Sequence, residues 1–174
     1  MRLLAVVVVG LVLAHSAAAE PPDRVFAGTI VMSAKAFPPA AKTDVETVAA
    51  IRKQSATTFQ EDKKEHTWTL FLVGYFKQPL DDMEYLLVVR DMANKNQILI
   101  SADKYLSARG LRTASTKLVL DKDKVGVNKD LLVTMELKGK VLATTRVRIA
   151  GEYEHFSGKV DFSDDDDEAS KSKK

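Results

Sequence analysis

Apolar and polar residues alternate with a period of two through most of the chain, which is the pattern of β-strands with one buried face. The clearest case is DLLVTMELKGKVLATTRVRIAGE, residues 130–152. Two alternating runs meet there at Lys138-Gly139, and glycine readily adopts the positive φ of a hairpin turn. The sequence therefore predicts a β-hairpin. The inward residues of its second strand are expected to be Val141, Ala143, Thr145, Val147 and Ile149.

Further runs of strand character lie on both sides of this hairpin. TWTLFLVGYF, residues 67–76, is apolar on both faces and rich in aromatic residues, as suits a central strand. The other runs are RVFAGTIVMSAKAF, EYLLVVRDM, QILISADKYL, RTASTKLVLDK and a short strand at 158–162. Turn signals stand at Gln78-Pro79, Ala93-Asn94, Arg109-Gly110 and Val125-Gly126.

About eight strands with regularly spaced turns predict an all-β fold, namely an antiparallel β-sandwich, Ig-like or related, over residues 24–162. A small β-barrel is the alternative, because the number of strands does not separate two open sheets from one closed sheet.

One segment, KTDVETVAAIRKQSATTF, breaks the alternation. Thr43 is followed three residues later by Glu46, which is a capping-box pattern. The sequence therefore predicts a short helix over residues 44–54, inserted between the first two strands. Its helical spacing comes from Val45, Val48, Ala49 and Arg52.

The first residues, MRLLAVVVVGLVLAHSAAAE, have the three parts of a secretory signal. Arg2 gives the positive start, and small residues lead to Ala19. The apolar run from residue 3 to 14 is short against the roughly 20 residues that a membrane-spanning helix needs. We therefore predict a signal peptide over residues 1–19, cleavage between Ala19 and Glu20, and a periplasmic or secreted protein without stable membrane insertion.

The remaining chain has the size of one domain, predicted over residues 20–162. The whole sequence of 174 residues contains no cysteine and has a formal net charge of +2. A core of this size holds a domain together without disulfides. The mild charge argues against nucleic acid as a partner. The sequence leaves the oligomeric state open.

The chain ends in DFSDDDDEASKSKK. Almost no apolar residue follows Phe162, so burial cannot offset the entropy of ordering, and residues 163–174 are predicted to be a disordered acidic and lysine-rich tail. Asp166 stands where a calcium loop needs glycine. A tail that contacts a basic partner is the alternative.

A second acidic segment, DKDKVGVNKDLL, places Asp121, Asp123 and Gly126 at the first, third and sixth positions of a calcium loop. Val125 and Leu132 occupy two ligand positions, which removes most of the coordination. The segment is therefore interpreted as a turn between two strands, and the sequence predicts no metal and no cofactor.

The sequence also contains no nucleophile-elbow, phosphate-loop or zinc-protease motif. His66 and His155 have no activating neighbour in the sequence and are interpreted as solvated loop histidines. Arg146 and Arg148 are interpreted as a solvated strand face. Trp68 and Tyr75 are assigned to the core, with a carbohydrate site as the alternative. No catalytic residue is assigned.

Three segments in this order, TWTLFLVGYFKQPLDDMEYLLVVRD, VLATTRVRIAGE and SGKVDFSDDD, resemble a group of uncharacterised exported bacterial proteins with an all-β body and an acidic end. The resemblance covers most of the mature chain. It implies export and an all-β fold, and it supplies no activity and no functional residues.

Two functional hypotheses follow. The first is a non-enzymatic exported binding or structural module of the bacterial cell envelope, with an unknown envelope protein or polymer as its partner. Its contact regions would be the charged segments 60–65 and 121–130, since sandwiches commonly bind through loops. The alternative is a secreted hydrolase with dispersed carboxylates, among which Asp81 and Asp82 come first. A cleft with two carboxylates about 5–9 Å apart would favour the hydrolase.

Overall fold

A computed structural model describes residues 20–153. Four predicted features lie outside these residues, namely the predicted signal peptide, His155, the strand predicted at 158–162 and the predicted acidic tail. The elements in chain order are α1 (Pro22–Val25), β1 (Ile30–Ser33), α2 (Asp44–Gln54), β2 (Thr58–Gln60), β3 (Thr67–Leu80), β4 (Glu84–Asp91), β5 (Gln97–Tyr105), β6 (Leu111–Asp121), α3 (Lys122–Val125), β7 (Lys129–Leu137) and β8 (Lys140–Ala150).

The strands form two sheets whose inner faces enclose the core. One sheet has the order β1-β3-β6, and the other has the order β2-β8-β7-β4-β5. All pairs are antiparallel except β2 with β8. Fully buried residues from both sheets meet between them, including Trp68, Leu70, Leu87, Leu131 and Met135. The predicted all-β sandwich with a short helix is confirmed. The small-barrel alternative is wrong, because both sheets stay open over residues 20–153.

The hairpin of β7 and β8 turns where the sequence predicts it. Lys138 and Gly139 both have positive φ, 49° and 79°. One inward assignment is wrong: Val141 is 51% exposed. A β-bulge shifts the register between Met135 and Glu136, so Val141 lies opposite Glu136 on the outer face. A shift of one residue moves a side chain to the other side of a sheet.

The beginning of the domain differs from the prediction. The expected first strand over residues 24–37 is reduced to β1, and the short helix α1 precedes it. Pro22 suits the first turn of α1 because a missing N–H costs nothing there. Gly28 then turns the chain with a φ of 78°.

The turn predicted at Gln78-Pro79 is also displaced. β3 continues to Leu80, but its pairing with β6 is interrupted between Tyr75 and Leu80. Proline has no N–H to give to a ladder, so an irregular stretch accommodates it. The chain turns afterwards, before β4 begins at Glu84.

Helix α2 has the predicted bounds, and the Thr43 hydroxyl oxygen accepts a hydrogen bond from the Glu46 N–H at 3.2 Å. Of the four residues that give the helical spacing, only Val48 is buried. Val48 and Ile51 are buried, whereas Val45 is 60% exposed. Ile51 packs with Val31 on the outer face of the three-stranded sheet. Of the helices within residues 20–153, none has the length and apolar character needed to cross a membrane.

Alternating strand directions place the connections at two ends of the sandwich. The α3 end contains residues 61–66, 92–96 and 121–128. The hairpin end contains residues 81–83, 106–110 and 138–139. These two ends hold the charged residues to which the functional hypotheses point.

Candidate functional site

The two charged segments predicted as contact regions, residues 60–65 and 121–130, meet at the α3 end. Lys122 Nζ lies 3.1 Å from Glu61 Oε1. The Lys122 N–H also donates a hydrogen bond to the carbonyl oxygen of His66 at 3.0 Å. These contacts join two segments that are about sixty positions apart in the chain into one surface, which we call the charged end surface.

Glu61 is the centre of this surface, and its side chain is only 4% exposed. Its Oε1 atom lies 3.1 Å from His66 Nδ1 as well as from Lys122. Its Oε2 atom accepts a hydrogen bond from the Glu152 N–H at 3.2 Å. A side chain at Gly151 would collide with the same oxygen. The carboxylate is therefore held by three parts of the chain.

The pKa of Glu61 follows from these contacts. Burial alone would raise it, but hydrogen bonds from His66, Lys122 and the Glu152 N–H outweigh burial and hold the pKa below its usual range. A carboxylate with a lowered pKa is ionised at neutral pH. Glu61 is thus an anion at neutral pH, and it organises the end of the sandwich.

Two further side chains fix the chain that follows β8. Trp68 Nε1 donates a hydrogen bond to the Ala150 carbonyl at 3.0 Å. Asn128 donates to the Gly151 carbonyl at 3.0 Å and accepts from the Gly151 N–H at 3.3 Å. Because Trp68 is buried in the core, the charged end surface is anchored to rigid structure.

The rim of the charged end surface consists of exposed residues of both signs. Lys63 pairs with Glu152, and Lys124 Nζ lies 3.9 Å from Asp121. Exposed pairs of this kind add little stability and leave their charges accessible to a partner. The other exposed charged residues of the two segments are Asp62, Lys64, Glu65, Asp123 and Asp130.

The acidic segment at 121–130 contains a short helix, α3, within the predicted turn. The Asp121 carboxylate accepts a hydrogen bond from the Asp123 N–H at 3.1 Å and so caps this helix. Gly126 follows with a φ of 77°. Among residues 20–153, no three His, Asp or Glu side chains form a group that could hold a metal ion.

His66 lies in an exposed loop, as predicted, with its side chain 58% exposed. It has a charged partner that the sequence did not reveal, namely Glu61. The two residues are five positions apart, but the turn between them has to be known before the contact can be inferred. The backbone φ of His66 is 52°, a positive value that belongs to this turn.

The hairpin end holds the carboxylates suspected for a hydrolase. A cleft of about 530 Å³ contains charged side chains of both signs, namely Asp82, Glu84, Asp103, Arg109, Glu136 and Lys138. Asp82 also lines a neighbouring cleft of about 360 Å³ together with Asp81. Asp82 Oδ2 lies 3.2 Å from Lys138 Nζ, so Asp82 has a cationic partner.

Two other carboxylates of this cleft lie on adjacent strands. In the ladder of β4 and β5, Glu84 is opposite Tyr105, and Asp103 is opposite Leu86. Glu84 and Asp103 are therefore diagonal neighbours on one face, and the backbone positions of such neighbours are about 7–8 Å apart. Both are exposed, and no other described residue forms an ion pair with them.

Glu136 has a different environment. Arg90 donates to Glu136 Oε1 at 2.7 Å and to Thr134 Oγ1 at 2.8 Å. The hydrogen bond from Arg90 is the main reason that the pKa of Glu136 is lowered, against the opposing effect of burial. A general acid needs a raised pKa, so Glu136 is a structural anion on the outer face of the sheet.

The remaining residues singled out from the sequence fall on both sheets. Arg146 and Arg148 lie on the exposed face of β8, as predicted, and Arg148 NH1 is 3.1 Å from Asp130. Trp68 belongs to the main core. Tyr75 is buried in a smaller apolar cluster on the outer face of the three-stranded sheet.

Sequence reasoning missed Glu61 as a central residue. A signal was present, because Glu61 follows the apolar Phe59 at the spacing of two that keeps side chains on one face of a strand. Phe59 is buried, and Glu61, just beyond β2, lies on the same face of the chain as Phe59. β2 has only three residues and was not predicted.

Comparisons of the sequence give no independent indication of a function. The chain matches no protein-family model, and no curated protein matches it.

Proposed function

We propose that this protein is a non-enzymatic, exported binding or structural module of the bacterial cell envelope, and that the charged end surface is its contact region. The partner is an envelope protein or polymer with charges of its own. Export is proposed from the signal-like first residues, and the envelope from the resemblance to exported bacterial proteins.

The observation that carries this proposal is the contact between Glu61 and Lys122 at 3.1 Å. It brings two charged segments together and fixes them on a rigid sandwich. Binding sites are commonly formed by loops that a rigid scaffold holds in place. A preorganised surface also loses less conformational entropy on binding than a flexible one.

The composition of the rim indicates the chemistry of the partner. Lysines alternate with carboxylates around Glu61, so the surface offers charges of both signs. A partner with a complementary mixed pattern gains both attraction and a fixed orientation. Binding of this kind weakens as salt screens the exposed charges.

The test compares charge reversal at the two ends of the sandwich. One variant combines Lys64→Glu with Lys124→Glu on the charged end surface. The matched control combines Arg109→Glu with Lys140→Glu at the hairpin end and changes the net charge by the same amount. The full chain of each variant captures partners from envelope extract, and quantitative mass spectrometry measures them.

We expect the partner captured by the unchanged protein to be lost with the first variant and retained with the control. Since all four residues are exposed, both variants should keep the unfolding temperature of the unchanged protein. Equal capture by the two variants would contradict the proposal. A chain that ends at Phe162 tests separately whether the acidic tail contributes.

A hydrolase is the second candidate, and the diagonal pair Glu84 and Asp103 favours it. Two exposed carboxylates that line one cleft are the kind of pair that glycosidases use. The test measures hydrolysis of a panel of nitrophenyl glycosides. Turnover that Glu84→Gln and Asp103→Asn each abolish, and that Asp81→Asn leaves intact, would support this candidate. Absence of turnover with the unchanged protein would remove it.

A further inference from the structure

A third cavity of about 380 Å³ opens on the outer face of the three-stranded sheet, and we call it the outer cavity. Val73 and Tyr75 of β3 form its floor with Thr113 and Ser115 of β6. Helix α2 and residues 37–40 form its walls, and α1 adds Asp23. None of these residues belongs to the charged end surface or to the clefts of the hairpin end.

Incomplete cover of the sheet creates this cavity. Helix α2 packs Ile51 against Val31 on the β1 side of the sheet. Phe37 and the two prolines that follow it add to the walls over β3 and β6. The outer cavity is therefore apolar on most sides and has the volume of a small-ligand site, for which about 300–1,000 Å³ is typical.

Tyr75 contributes a hydroxyl that has no hydrogen-bond partner among the described residues. The residue is only 6% exposed, and its ring centroid lies 5.2 Å from that of Phe26. No fully buried polar side-chain atom of the described chain lacks a partner. The Tyr75 hydroxyl must therefore reach accessible space, and the outer cavity is the space that Tyr75 lines.

Asp23 supplies an acceptor on the wall of the same cavity. Its carboxylate is 3.9 Å from Arg112 Nε, a loose pair that leaves oxygen lone pairs available. Burial, and to a lesser degree the charge of Asp23, raise the pKa of Tyr75. The phenol thus stays protonated at neutral pH and can act as a donor.

We propose that the outer cavity binds a small neutral alcohol, whose apolar body lies against Phe37, Ile51 and Val73. The ligand hydroxyl accepts a hydrogen bond from Tyr75 and donates one to Asp23. This chemistry follows from a donor and an acceptor in a cavity whose lining is otherwise mostly apolar. The site is independent of the charged end surface and would exist whatever that surface binds.

The test uses benzyl alcohol as the probe, with toluene and benzoate as comparison compounds, and titrates each into the full chain. Amide chemical shifts in NMR spectra report the binding site and the affinity. Benzyl alcohol should shift residues around Val73, Tyr75 and Ser115. Toluene should bind more weakly because it has no hydroxyl, and benzoate should not bind, because Asp23 repels its charge.

Two comparisons make the test specific: Tyr75→Phe with the unchanged protein, and Ser115→Trp with Ser101→Trp. Tyr75→Phe removes the hydroxyl and keeps the ring, so affinity for benzyl alcohol should fall about fivefold to tenfold while affinity for toluene is unchanged. Ser115→Trp places a large side chain over the cavity and should abolish binding. Ser101→Trp is the matched control, since Ser101 is also exposed on a strand, but in the other sheet.

Each outcome decides for or against the proposal. Loss of binding in Ser115→Trp, with retention in Ser101→Trp, supports the location. An affinity for benzyl alcohol that Tyr75→Phe leaves unchanged overturns the role of the hydroxyl. Shifts at other residues, or none up to the solubility of benzyl alcohol, overturn the site itself.

Discussion

Burial of a carboxylate is unfavourable unless donors compensate it, and three carboxylates of the described chain are compensated in this way. Glu61 has Lys122 and His66, and Glu136 has Arg90. Asp91 is 2% exposed, accepts from Lys129 at 2.7 Å, and its pKa is lowered mainly by that hydrogen bond. The pairs with Lys122, Arg90 and Lys129 each connect different strands or loops, so these anions stabilise the tertiary structure.

The substitution Glu61→Gln tests this at the level of one residue. Folding lowers the pKa of Glu61 below 4.5, so the folded state binds fewer protons than the unfolded state near that pH. The stabilisation that ionised Glu61 contributes is complete above its pKa in the unfolded state. It is lost as pH falls through the pKa of Glu61 in the folded state. At pH 7 we expect Glu61→Gln to lower the free energy of unfolding by about 1–3 kcal/mol.

Urea denaturation at a series of pH values measures this effect. The difference between the two proteins should shrink as pH falls below 4.5 and through the folded pKa, because Glu61 itself becomes protonated. Glu152→Gln is the control, since its exposed pair with Lys63 should contribute under about 1 kcal/mol. A difference that does not change with pH would show that the charge of Glu61 has no stabilising role.

At the scale of elements, sequence predicts best where the determinants are local. The Thr43 cap defines α2, and Lys138-Gly139 defines the hairpin turn, because each depends on residues a few positions apart. β2 pairs with β8 ninety positions later, and no local pattern encodes that contact. The contact between Glu61 and Lys122 likewise joins residues sixty-one positions apart, which is why the site could not be assembled from the sequence.

Removal of the cap of α2 tests how much this local signal contributes. In Thr43→Ala the Glu46 N–H loses the hydroxyl acceptor that lies 3.2 Å away. We expect the free energy of unfolding to fall by about 1 kcal/mol, the usual effect of losing an N-cap. Thermal and urea denaturation measure it. Thr43→Ser keeps the hydroxyl and should remain close to the unchanged protein, so equal losses in both variants would contradict the capping role.

At the scale of the whole molecule, the sandwich separates three regions of different chemistry. The α3 end presents mixed charges around Glu61, the hairpin end presents the carboxylate cleft, and the outer face of the smaller sheet has an apolar cavity. Substitutions in separate regions should have additive effects, since distant sites rarely couple. The proposed functions can therefore be tested one at a time in the same protein.

The export proposed for the whole chain predicts cleavage between Ala19 and Glu20. A signal-peptide site requires small residues at the first and third positions before the cut, while the position between them is less restricted. Ala19→Phe should therefore leave the precursor uncut, and Ala18→Phe should still be processed. Intact-mass spectrometry of the protein from a bacterial host measures both, with Glu20 expected as the first residue of the processed chain. Finding Met1 on the exported protein, or equal processing of the two variants, would contradict this cleavage site. Since the phenylalanine is the same in both variants, a difference between them reports the position in the site rather than added bulk.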